Sequence, residues 1–163
     1  MSKRSATSKQ RREAYALKGA LDKRPVLFID RAIEGRALIE ALTEVGANFK
    51  LHKDYFRDDT PDVVWLPDVG KRGWNVLTRD KAIQSNPLEK RAVQNAKVGY
   101  FVLSSRDVTG FEVAEIIVRA LTAIEKIAVN QEKPFIARIV KDGSVKVVEE
   151  EKKADKPGNS SGS

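Results

Sequence analysis

Apolar residues along this chain recur in two rhythms, and the rhythms take turns. PVLFID (25–30) is a short apolar run that ends in an acid, which reads as a buried first strand. Beyond it Ile33, Ala37, Leu38, Ala41, Leu42 and Val45 fall at helical spacing, with Gly46 as the stop. ANFKLH (47–52) alternates and reads as a second strand. This strand–helix–strand unit implies parallel pairing through a right-handed crossover.

The same alternation continues. KDYFRDDT (53–60) is a polar loop in which Thr60 can cap a helix and Pro61 can occupy its first position. Val63 to Leu66 and Val69 give that helix an apolar side, and Pro67 is expected to kink it or restart it. Gly70 and Gly73 read as turn glycines, and WNVLT (74–78) as a third strand. PLEKRAVQNAK (87–97) is a short amphipathic helix, GYFVLS (99–104) a fourth strand, and residues 110–130 a long helix, apolar over much of its surface. FIARIV, a turn through Gly143, and VKVV form a closing hairpin. The expected fold is α/β: a three-layer α/β/α domain with a mostly parallel central sheet and a C-terminal hairpin.

Charge divides the chain into parts. Of 30 Lys and Arg and 23 Asp and Glu, giving +7, residues 1–24 hold eight cations and two acids. The expected organisation is a basic N-terminal arm over 1–24, one folded domain over 25–148 and a disordered Gly/Ser-rich tail over 149–163. A basic arm suits a polyanion partner through phosphate contacts, and equally a solubilising role. TSKQRREAYALKGA (7–20) has the makings of a short basic helix. The chain has no cysteine, so neither a disulfide nor a thiolate zinc site is available. With no apolar run of membrane-spanning length and no secretory h-region, a cytoplasmic location is expected.

The acids carry the chemistry. Ligands of open α/β sheets bind outside the carboxyl ends of the strands. Asp30 closes the first strand, Asp80 lies two residues past the apolar end of the third, and Asp62 sits in the first turn of the helix leading into it. Asp58 and Asp59 stand just ahead of Asp62. Each acid alone has a structural reading as a cap, a dipole partner or an ion-pair partner. Three carboxylates at one edge repel one another unless a cation joins them, and hard oxygen donors select Mg2+ or Mn2+. Such an ion can activate water and hold phosphoryl oxygens. Arg31, Arg79 and Lys81 flank the acids as candidate phosphate contacts, and Ser104 lies at the edge as a substrate contact or a helix cap. His52 is expected at the surface or a strand edge rather than as a ligand; Trp65 and Trp74 are expected in the core, with base stacking as the other reading.

FIDR after the first strand, DDTPDVVWLPDVGKRGW and VLTRD together resemble the PIN-like domains, in particular the subfamily related to VapC-type ribonuclease toxins. The resemblance runs from about Pro25 to Val148. It implies a Mg2+- or Mn2+-dependent endoribonuclease that leaves a 3′-hydroxyl and a 5′-phosphate. Carried over by motif, the catalytic and metal-holding acids are Asp30, Asp62 and Asp80, with Asp59 as a candidate fourth ligand and Asn86 as a neutral one. It also implies RNA as substrate, a cognate antitoxin protein and a homodimer as partners. A non-catalytic nucleic-acid-binding or interaction module is the alternative. A receiver-like phosphoacceptor fits less well, because Arg31 rather than a second acid follows Asp30 and Asp62 would have no task.

Overall fold

The computed structural model describes residues 24–79, 86–105 and 107–148. The arm through Lys23, Asp80, Lys81 and the tail from Glu149 lie outside the described residues. Along the chain run β1 (Leu27–Ile29), α1 (Arg36–Glu44), β2 (Phe49–Leu51), a 3-10 turn (His52–Asp54), α2 (Asp62–Lys71) and β3 (Asn75–Thr78). After these come α3 (Pro87–Ala96), β4 (Gly99–Leu103), α4 (Gly110–Asn130), β5 (Phe135–Ile139) and β6 (Val145–Val147). The six strands form one sheet in the order β2-β1-β3-β4-β5-β6, parallel throughout except for β6, which pairs antiparallel with β5.

Side chains alternate across the strands, so each strand feeds both faces. Leu27, Ile29, Leu77, Phe101 and Ile139 point to one face and pack under α1 and α4. Phe28, Val76, Tyr100, Val102 and Ile136 point to the other and pack under α2 and α3. Covered on both sides, the strands read as continuous apolar runs, as parallel strands must. The three-layer α/β/α fold with its C-terminal hairpin is the one the pattern predicts.

Helix ends follow from local sequence. Thr109 and Glu112 form a reciprocal capping box at the start of α4, and Asn86 accepts the Leu88 amide ahead of Pro87 at the start of α3. Gly73 ends α2 at φ 75°, with its amide on the Gly70 carbonyl and the Trp74 amide on Val69. That is a Schellman closure, and only glycine enters this backbone region without strain.

Three expectations are corrected. Pro61, not Thr60, is the N-cap of α2, and its carbonyl accepts the Val64 and Trp65 amides. α2 runs on through Pro67 and does not restart there. The proline costs one helical hydrogen bond, to a carbonyl on the side where Val63 and Val64 are exposed, so water can take the partner's place. Gly70 serves no turn: a Cβ there would run into the Ala96 carbonyl, so glycine permits the close crossing of α2 and α3.

Candidate active site at the carboxyl edge of the sheet

The chain leaves β1 toward β2 on one side and returns to β3 on the other. This reversal opens a crevice at the carboxyl ends of β1 and β3, where open α/β sheets take ligands. Asp30 stands there. Its amide donates to the Leu77 carbonyl, continuing the β1–β3 ladder one step past the register Ile29↔Leu77. Its own carbonyl accepts the Ile33 and Glu34 amides, so the turn that follows is wound around it.

Asp30 is held at both oxygens. Oδ1 accepts the Arg31 amide at 2.8 Å and Oδ2 accepts the Thr78 hydroxyl at 2.8 Å. Thr78 is fully buried and reaches across from the end of β3, bridging the crevice. Sequence reading passed over Thr78; the signal was the hydroxyl that closes VLT, one step in register beyond Leu77. A carboxylate offers about four lone-pair sites, so two such bonds orient Asp30 and leave it able to bind a cation.

Asp62 lies in the first turn of α2, where its charge suits the helix dipole, and its Oδ1 accepts the Trp65 indole N–H at 3.0 Å. His52 is the link between the two acids. It is 1 % exposed, which corrects the surface or strand-edge expectation: it begins the 3-10 turn after β2 and inserts between Phe28, Phe56 and Trp65, ring centroids 5.3–5.8 Å away. Neither ring nitrogen has a hydrogen-bond partner among the described residues. Burial pushes its pKa below the ordinary value, while Asp30, Asp62 and Asp58 pull it up and Arg31 adds to the lowering. Asp30, Asp58, Asp62 and Arg31 therefore all act on one imidazole, which stays neutral at pH 7.

Asp59 points elsewhere: it is 76 % exposed and pairs with Arg57 at 3.4 Å. Asn86 caps α3 with its side chain. Ser104 caps no helix; its hydroxyl donates to the Ile139 carbonyl at 3.2 Å, tying β4 to β5 at the same edge. Arg79 reaches back toward the Val108 carbonyl at 3.5 Å. Arg31 is exposed and lines an open cleft of about 640 Å³ with Arg36, Lys53, Glu34 and Asp58. That cleft borders the Asp30 turn; Glu40 also lines it, and Lys53 pairs with Glu34 at 3.2 Å, which leaves Arg31 and Arg36 as its cations for a phosphate chain. Trp65 is core, as expected, whereas Trp74 is half-buried under the Arg72 guanidinium, 4.9 Å from its ring centroid.

Among the described residues no three carboxylate or imidazole groups stand close enough together to hold a metal ion; Asp80 lies outside them. The chemistry of the donors nevertheless fits a hard divalent cation, since the groups on offer are carboxylate oxygens and the nearest imidazole is buried.

The model of the PIN-like domain matches residues 25–105, the span from just before β1 to the end of β4 with both acids and Thr78. The chain belongs to the PIN-like domain family. No curated protein and no solved structure matches it. PIN domains are nucleases as a class and generally use divalent metals. In this PIN-like domain the β1–β3 crevice, with Asp30 fixed by Thr78, lies within the matched span. Among the described residues no helix is long and apolar enough to cross a membrane.

Proposed function

We propose that the chain is a metal-dependent endoribonuclease that hydrolyses RNA phosphodiester bonds at the β1–β3 crevice. The observation that carries this is Asp30, fixed at the switch point by Thr78 and Arg31, with Asp62 acting on the same buried imidazole. Asp30, Asp62 and Asp80 are the groups that would hold Mg2+ or Mn2+. When bound, that cation supplies an activated water and neutralises phosphoryl oxygens.

The protein's own residues do the rest. Thr78 fixes one oxygen of the Asp30 carboxylate at the crevice, and Trp65 fixes one oxygen of Asp62. Arg31 and Arg36 offer phosphate contacts along the adjoining cleft, with Arg79 and Lys81 on the β3 side. A role as a toxin restrained by a cognate antitoxin, and homodimer formation, follow from the resemblance to VapC-type toxins and belong to this proposal.

Asp30→Asn and Asp80→Asn test it against a single-stranded RNA with Mn2+ present. Each should lose cleavage by about 10²-fold or more, since even the outer partners of a metal site cost 10–100-fold when removed. Mn2+ binding by calorimetry should weaken in step, and thermal unfolding should shift little. Full cleavage in Asp30→Asn would sink the assignment.

A further inference from the structure

On the opposite side of the sheet from α2 and α3, the two remaining helices leave a groove between them. It has a volume of about 610 Å³ and a floor of Ala37, Ala41, Ala114 and Val118. Phe111 stands at one end, 67 % exposed, which is unusual for a phenylalanine with so much apolar surface beside it. Glu40, Glu44 and Glu115 form the rim. None of these three has an ion-pair partner among the described residues. Arg119 is the one cation of the lining, and its stem lies against the Gly143 turn. The groove is thus apolar within and acidic at its margin.

The far end of the groove is where the described chain begins. Arg24 donates to Glu125 of α4 at 2.9 and 3.1 Å and to the Gly46 carbonyl, just past α1, at 2.7 Å. It therefore clasps the two walls together. Phe111, Val118 and Glu125 are seven residues apart along α4 and share one stripe of the helix. From Glu125 back to Phe111 is about 21 Å along the axis at 1.5 Å per residue. A helix over residues 7–20 would have the same length, about 21 Å.

We propose that the chain's own basic arm, residues 1–23, docks in this groove. Its composition complements the site: on a helix Ala14, Leu17 and Leu21 fall on one stripe at i, i+3 and i+7, and Arg11 and Lys18 flank it. The apolar stripe faces the alanine floor and Phe111, and the cations meet Glu40, Glu44 and Glu115. The arm is then a cis ligand of the domain, and its charge is partly neutralised until a stronger polyanion displaces it.

The absence of cysteine makes the test direct. A nitroxide on Ala16→Cys in the full chain should broaden the amide signals of 37–44 and 111–119 and spare those of α3. The broadening should be lost in the triple variant Glu40→Lys, Glu44→Lys, Glu115→Lys, whose unaltered spectrum elsewhere reports an intact fold. It should also fade near 1 M salt, where the screening length falls to about 3 Å. Groove signals that stay sharp would overturn the proposal. So would equal broadening in an isotope-labelled, nitroxide-free chain mixed with nitroxide-bearing chains, because the occupant would then be a second copy.

Discussion

The two faces of the sheet are packed from the same strands but with different chemistry. Under α1 and α4 the core is mostly aliphatic, with Phe101 and Phe135 meeting edge to face at 5.4 Å. Under α2 and α3 it is aromatic: Phe28 is ringed by His52, Tyr55, Phe56, Trp65 and Trp74, with centroids 5.4–6.4 Å away. The aliphatic face ends at its own surface. The aromatic face reaches the carboxyl edge, because Trp65 donates to Asp62 and His52 lies in the field of Asp30, Asp58 and Asp62. One face holds the strands together; the other also sets the acids. Damage to the first should be read as lost stability alone, and damage to the second as altered chemistry.

The largest effect tests the aliphatic side. Ile117 is fully buried in α4, and Ile117→Ala should cost about 2–5 kcal/mol by urea unfolding, from lost transfer energy and the cavity left behind. Cleavage per folded molecule, measured well below the new midpoint, should be unchanged. A large fall in specific activity would erase the distinction between the faces.

Next is Gly70→Ala at the α2–α3 crossing. Helix propensity favours alanine by about 1 kcal/mol, but a backbone carbonyl at Ala96 stands where the methyl must go. Overpacking of this kind costs about 1–3 kcal/mol, so the net change should be a loss of up to about 2 kcal/mol. A more stable variant would show that the two helices separate freely.

Trp65→Phe removes the indole N–H from Asp62 and keeps most of the aromatic packing. About 1 kcal/mol of stability should go, the usual net worth of such a bond. The sharper readout is the Mn2+ concentration for half-maximal cleavage, which should rise while it stays fixed in Ile117→Ala. Equal values in both variants would break the proposed coupling of the aromatic face to the edge.

The sequence made these two faces legible to different degrees. Buried strands and α4 announce themselves through continuous apolar runs, and the hairpin through its turn at Gly143, which takes φ 94°. Asp30 was readable as a strand-end acid for the same reason. Thr78 was not, because its partnership with Asp30 depends on β1 pairing with β3 across 48 positions, which no local pattern encodes. The loop 53–60 has no period at all, so nothing local distinguishes Asp58, which acts on His52, from Asp59, which pairs with Arg57. His52 misled for a related reason. One histidine after an alternating strand looks like an edge residue until Phe28 and Trp65 from other elements, with Phe56 of the following loop, close over it.

His52 also gives the smallest and most specific prediction. Its neutral ring has no partner for either nitrogen among the described residues, so His52→Phe should leave stability at pH 7.5 unchanged or raise it by up to about 1 kcal/mol. Acid should separate the two proteins. The folded pKa lies below the ordinary 6.5, so below that pH the unfolded chain binds a proton that the folded chain refuses. Stability of the parent therefore falls as pH drops from about 6.5 toward the folded value, by at most about 1.4 kcal/mol per pH unit, and this component is missing in the variant. Carboxylates titrate in both proteins, so the difference between urea midpoints at pH 7.5, 6.5 and 5.5 isolates the imidazole. Parallel midpoints would mean that the ring is not held neutral. Asp30 raises this pKa, so Asp30→Asn should lower it further and carry the acid loss to lower pH. The edge acid and the buried ring would then be shown, by titration alone and without any cleavage assay, to act on each other.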